Sequence, residues 1–108
     1  DQKNRSEQPV DLTKGNTGNV KYPKLSGNQP PKYPEKMRRR GIEGRVRLKV
    51  LITSNGLVED LKVLSSSGYN NLDQAAKNSV TNWKFKPAKK DGQAVASWII
   101  IPIRFKLK

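Results

Sequence analysis

The eleven residues Trp98-Ile99-Ile100-Ile101-Pro102-Ile103-Arg104-Phe105-Lys106-Leu107-Lys108 alternate as a strand and carry a proline at their middle. Ile99, Ile101, Ile103, Phe105 and Leu107 recur at period two, which gives one continuously apolar face. Pro102 has no N–H to donate, so a sheet accepts it on an outer strand with the missing donor pointing outward. The pattern therefore predicts an edge strand. An edge is either defended against pairing or used to recruit another strand. Arg104, Lys106 and Lys108 serve defence, whereas the many apolar residues suit recruitment, and alternation alone does not choose.

The same logic orders the segments before it. Tyr33-Pro34 opens a short helix at Glu35, with arginines at its C-terminal end and Gly41 as its stop. After Gly44 a strand follows in which Val46, Leu48, Val50 and Ile52 face one way and Arg45, Arg47 and Lys49 the other. Asn55-Gly56 signals a hairpin into a second strand carrying Val58, Leu61, Val63 and Leu64. The uneven step from Val58 to Leu61 predicts a bulge at Glu59 or Asp60. Leu72, Ala75, Ala76, Ser79, Val80 and Trp83 then form the stripe of an amphipathic helix, with Asn71 and Gln74 expected as a capping box. Trp83 reads as its core anchor. Lys84-Phe85-Lys86-Pro87 leaves the helix as extended chain, and Lys89-Lys90-Asp91-Gly92 makes a turn.

Helix, strand, strand, helix, strand assembles as an α+β domain if the long helix crosses the Val46, Leu48, Val50, Ile52 face. The expectation is two helices with a three-stranded sheet of order 2-1-3, the last strand at the edge. Leu51, Trp98 and Ile100 would then lie on the opposite face, available to the short helix, to the preceding segment or to a second subunit. Residues 1–32 are rich in Asn, Gln, Gly, Ser, Pro and Lys, with only scattered apolar residues, and are expected to be a flexible arm. The domain proper is expected over 33–108. The sequence opens without methionine in this polar stretch, so a piece of a longer chain is expected.

Composition narrows the chemistry. The chain has no cysteine and no histidine, which removes the thiol nucleophile, the disulfide framework and the commonest general base. The six acidic residues after position 34, Glu35, Glu43, Glu59, Asp60, Asp73 and Asp91, each sit near a cation or at a turn or helix start, so an enzyme is disfavoured and no cofactor is expected. A net charge of +13 favours acidic partners without naming one. No apolar run approaches the roughly 18 residues that span a bilayer.

Arg38, Arg39 and Arg40 with Arg45, Arg47 and Lys49 are expected to offer a basic surface. A nucleic-acid-binding module would use it for phosphates, but among the aromatics only Trp98 falls on the open sheet face, and a solvated face is the plainer reading. Gly15-Asn16-Thr17-Gly18 and Gly41-Ile42-Glu43-Gly44 lack the spacing and lysine of a phosphate-cradling loop and read as turns.

Taken in order, Tyr33-Pro34, Gly41-Ile42-Glu43-Gly44, Asn55-Gly56, Ser66-Ser67-Gly68, Leu72-Asp73-Gln74-Ala75-Ala76, Trp83-Lys84-Phe85-Lys86-Pro87-Ala88 and Ile101-Pro102-Ile103-Arg104-Phe105 resemble the TonB C-terminal domain. The resemblance covers residues 28–108 and rests on the order of these motifs, since no single one is specific. It implies an energy transducer of Gram-negative bacteria, anchored in the inner membrane by an N-terminal helix and working on the periplasmic side. With ExbB and ExbD, such proteins use the proton-motive force to drive outer-membrane transporters for iron chelates, haem, cobalamin or nickel.

In that family the TonB box of the transporter pairs with the last strand. Carried over, this implies partner contacts at Gln29, Pro30, Tyr33, Pro34 and Lys36. It also implies contacts along Trp98, Ile99, Ile100, Ile101, Ile103, Arg104, Phe105, Lys106 and Leu107. The Arg38, Arg39, Arg40 cluster is more basic than the family's usual helix and leaves open a contact with acidic transporter surface, lipid head groups or peptidoglycan. A homodimer and a TolA-like envelope-interaction module also remain alternatives.

Overall fold

A computed structural model describes residues 8–15, 18–27 and 30–107. At its centre, β4 (Gly44–Ile52) runs antiparallel to β9 (Ser97–Phe105) without a slip, from Gly44 opposite Phe105 to Ile52 opposite Ser97. On its other side β4 pairs antiparallel with β5 (Val58–Ser65). Two register shifts interrupt that pairing. One lies between Leu51 and Ile52 and leaves Glu59 as the extra residue, where the sequence spacing predicts it. The other lies between Arg47 and Leu48.

Alternation decides which face is buried. Val46, Leu48, Val50 and Ile52 are all 0% exposed beneath α2 (Asn70–Thr81), whose Leu72, Ala76 and Val80 are also fully buried. Each such aliphatic side chain contributes about 1.5–3 kcal/mol relative to exposure. Trp83, Phe85, Ile103 and Phe105 complete this core, together with Met37 of the short helix α1 (Glu35–Arg39). Trp83 is thus a core anchor, as its place on the stripe predicts.

The start of α2 departs from the expected capping box. The helix begins at Asn70, and the N-cap residue Tyr69 makes no side-chain cap. Asp73 ties the first turn instead. Its carboxylate accepts the Ser67 N–H at 2.9 Å, the Ser67 hydroxyl at 2.7 Å and the Ser66 hydroxyl. Burial alone would raise its pKa, but these hydrogen bonds and the charge of Lys77 hold it below the ordinary aspartate value. An acidic residue in this position also meets the positive end of the helix.

The hairpin between β4 and β5 turns through Ser54 and Asn55. Gly56 N–H donates to the Thr53 carbonyl at 2.9 Å, and Gly56 takes φ +85°. A type I turn followed by a left-handed residue is a common three-residue hairpin. A Cβ on Gly56 would lie 1.9 Å from the Phe85 carbonyl oxygen, so the close approach of β6 (Phe85–Lys86) also requires glycine.

The sheet is larger than three strands. Its order is β1-β9-β4-β5, so the predicted 2-1-3 core stands with a fourth strand, β1 (Val10–Asp11), added in parallel against the last one. Two smaller pairings hold more of the preceding segment. β2 (Val20–Lys21) joins β7 (Ala88–Lys90), which hairpins through Asp91-Gly92 to β8 (Gln93–Val95), and β3 (Lys24–Leu25) joins β6. The described residues of 1–32 thus include three short strands, β1, β2 and β3. Leu12 and Val20, each 5% exposed, pack with Ala88 in a second small core, which Val10, Val95 and Ile99 border.

Candidate functional site

The candidate site is the outer edge of β9. Leu12 N–H donates to the Trp98 carbonyl and Val10 N–H to the Ala96 carbonyl, both at 2.9 Å, which shows that even-numbered residues turn their backbone groups outward. Continuous register with β4 carries the alternation forward. Ile100, Pro102 and Arg104 therefore face the same way as Trp98. Past Trp98, no strand among the described residues pairs with this side. The edge offers N–H donors at Ile100 and Arg104, about 13 Å apart along the strand. It offers carbonyls at Ile100, Pro102 and Arg104. Pro102 thus interrupts the donor row as its sequence position implies, and β1 already occupies the end before it.

This geometry sorts the sequence-predicted residues. Ile99, Ile101, Ile103 and Phe105 direct their backbone groups at β4 and their side chains toward the helix-covered core, so they support the edge from behind. Arg104 and Lys106 are exposed, and Ile100 and Trp98 are partly so. Beyond the strand, Leu107 N–H donates to the Glu43 carboxylate at 2.8 Å, which holds the end of β9 to the loop before β4.

Of the upstream residues, Tyr33 meets the same strand. The Tyr33 ring stands edge-on to Phe105, with centroids 5.3 Å apart, and its hydroxyl donates to the Ile42 carbonyl. Burial, with the nearby charge of Glu43, raises the Tyr33 pKa and keeps the phenol protonated. Pro34 caps α1 and lines a groove of 540 Å³ with Lys32 and the α2 residues Asn71, Gln74, Ala75, Asn78 and Ser79. Pro30 and Lys36 are exposed, and Gln29 lies outside the described residues.

The basic surface is divided. Arg38 makes two 2.7 Å contacts with both Glu35 carboxylate oxygens, which raise its pKa, and Arg39 lies 3.7 Å from the same carboxylate. Their helix packs through Met37 on the covered side of the sheet. Arg45, Arg47 and Lys49 alternate with the buried Val46, Leu48 and Val50, so they project from the opposite face. The two groups thus sit on different elements, α1 and β4. On the open face Lys49 lies 5.1 Å above the Trp98 ring. The small contact between β1 and β9 is the feature sequence reasoning missed, and two-residue strands carry no periodic signal from which to find it.

Residues 29–107 match the model of the Gram-negative bacterial TonB protein C-terminal family. The chain belongs to the TonB C-terminal family. It is 44% identical over 80 residues to protein tonB2 of Pseudomonas aeruginosa, covering 74% of this chain and 30% of that protein. To protein TonB of Vibrio cholerae it is 39% identical over 110 residues, covering 95% of this chain and 45% of that protein. It thus spans less than half the length of either TonB relative. The solution structure of the Pseudomonas aeruginosa TonB C-terminal domain superposes with a TM-score of 0.69 at 30% identity, covering 94% of this chain and 97% of that one. The tonB2 protein of Vibrio anguillarum gives 0.64 at 25% identity, covering 95% of each.

Proposed function

We propose that this domain is the receiving end of a TonB-type energy transducer and takes the TonB box of an outer-membrane transporter as a strand added to β9. The observation that carries the reading is the outward row at Ile100, Pro102 and Arg104, next to a place where β1 already occupies the same edge. Strand addition draws its affinity from main-chain pairing and makes few demands on side chains, which suits one transducer serving several transporters. Family membership supports the rest. The whole protein would be anchored in the inner membrane, work with ExbB and ExbD, and use the proton-motive force to drive uptake of iron chelates, haem, cobalamin or nickel from the periplasmic side. Among the described residues no helix is long and apolar enough to cross a membrane, so an anchor would belong to another part of that protein. The chain's role is binding and transmission of force, not catalysis.

An NMR titration with a TonB-box peptide tests the reading. The amides of Ile100 and Arg104 are expected to shift most, with smaller changes around Tyr33 through Phe105. Shifts confined to residues 38–49 would show that the peptide is held by the basic surface and that strand addition is wrong.

A further inference from the structure

The open face of the sheet sets like charges directly against each other. Arg45 of β4 lies opposite Arg104 of β9, and Lys49 of β4 lies opposite Lys62 of β5. Such pairs disfavour folding. Arg47 lies beside Pro102 on one side and Ser65 on the other, and a cleft of 620 Å³ opens between the three arginines. Among the described residues no carboxylate forms an ion pair with any of these five cations, since the ion pairs there belong to Glu35. Glu43 borders the arginine end and accepts the Leu107 N–H. Asp60 and Asp11 share the open face, but both lie level with Trp98, about 20 Å from Arg104 along the strand. That exceeds the Debye length of about 8 Å at physiological salt, so they leave the arginine end cationic. Two hydrogen bonds from Thr13, and more weakly the charge of Lys49, hold the Asp11 carboxyl below its ordinary value.

Apolar side chains lie among these charges. Leu51, Trp98 and Ile100 are half-buried on this face, and Pro102 is exposed. Lys49 Nζ stands 5.1 Å from the centre of the Trp98 ring, which covers the surface on which a nucleobase would stack. An indole beside cations suits the headgroup layer of a membrane, where one side is apolar and the other wet. The face also extends about 30 Å along β4 and β9, more than a single phosphate would use.

We infer that the open face docks on a bilayer surface that carries anionic phosphate headgroups. Arg45, Arg47 and Arg104 meet the phosphates, and Trp98, Ile100 and Pro102 lie at the apolar boundary. The opposed like charges then have a use, in keeping with the way functional sites break local folding rules. The short helix α1 is the poorer surface for this, because Glu35 already takes Arg38 and Arg39. The inference stands apart from strand addition at β9.

Sedimentation of the whole chain with vesicles tests it, using phosphatidylcholine alone and phosphatidylcholine mixed with phosphatidylglycerol. In about 0.1 M salt the chain is expected to bind only the anionic vesicles, with tryptophan emission shifted to the blue as Trp98 leaves water. Joint replacement Arg45→Gln and Arg47→Gln should weaken binding at least about tenfold, since each cation at an anionic surface contributes roughly fivefold. This variant should melt no lower than the parent, because repulsion across the strands is relieved, and that separates lost docking from lost fold. Joint replacement Arg39→Gln and Arg40→Gln should stay within about threefold of the parent. No binding to anionic vesicles, or equal losses from the two double variants, would overturn the inference. Tighter binding of inorganic phosphate or a thymidine oligonucleotide than of vesicles would also overturn it, in favour of a soluble phosphate ligand.

Discussion

Tyr33 stands edge-on to Phe105 at 5.3 Å, which joins the Tyr-Pro segment to the last residue of the strand that offers its edge. The Tyr33 hydroxyl also donates to the Ile42 carbonyl, so this residue is held on two sides.

Removing parts of Tyr33 separates these effects. Tyr33→Phe deletes the hydrogen bond to Ile42 and keeps the ring, and is expected to cost about 1 kcal/mol. Tyr33→Ala also removes the contact with Phe105 and should cost about 2–3 kcal/mol. Urea melts of both variants give the difference. Equal losses would mean that the ring contributes nothing.

Gly56 tolerates no side chain. Its positive φ and the 1.9 Å approach to the Phe85 carbonyl predict that Gly56→Ala loses more than about 2 kcal/mol, because β6 and the hairpin must separate. Thermal unfolding measures this. A variant within about 0.5 kcal/mol of the parent would mean that the turn repacks freely.

Asp73 gives the fold an acid dependence. Its folded pKa is depressed, so its stabilisation is complete above the unfolded value of about 3.9 and is lost as pH falls through the folded value. Asp73→Ala should lower stability by about 1–2 kcal/mol at neutral pH. The gap between parent and variant should close in acid. Melts between neutrality and strong acid check both. A gap that widens on acidification contradicts the assigned hydrogen bonds.

Leu12 anchors β1 on the outer edge of β9. Leu12→Ala in the small core with Val20 and Ala88 is expected to cost about 2 kcal/mol and to speed hydrogen exchange at the amides of Val10 and Leu12. Release of β1 would also free the Ala96 and Trp98 carbonyls, so an added peptide long enough to reach them should bind more tightly to this variant. Unchanged or weaker binding, with β1 shown by exchange to be detached, would show that β1 does not compete for the edge.

The central sheet was legible because its signals are local and long. Nine residues of β4 and nine of β9 hold their alternation throughout, and only one placement of the long helix buries the Val46 to Ile52 stripe. The bulge at Glu59 and the outward turn of Pro102 followed from spacing and from the chemistry of proline. The start of α2 is not legible in the same way, because Asn71 and Gln74 fit a known spacing while Asp73 reaches back to a loop whose path the spacing does not contain.

From the sequence come the apolar face of β9, the α2 stripe and the family, whereas the edge position expected of β9 holds only past Trp98, because β1 pairs outside it before that point. Its order of motifs also singles out Tyr33, which the structure sets against the last strand. The tertiary structure alone places β1 on that strand and brings Tyr33 against Phe105. The reason is physical. Periodicity reports which way neighbouring side chains point, but isolated residues such as Leu12 and Val20 acquire a partner only when the chain folds back and Ala88 supplies the surface they bury against.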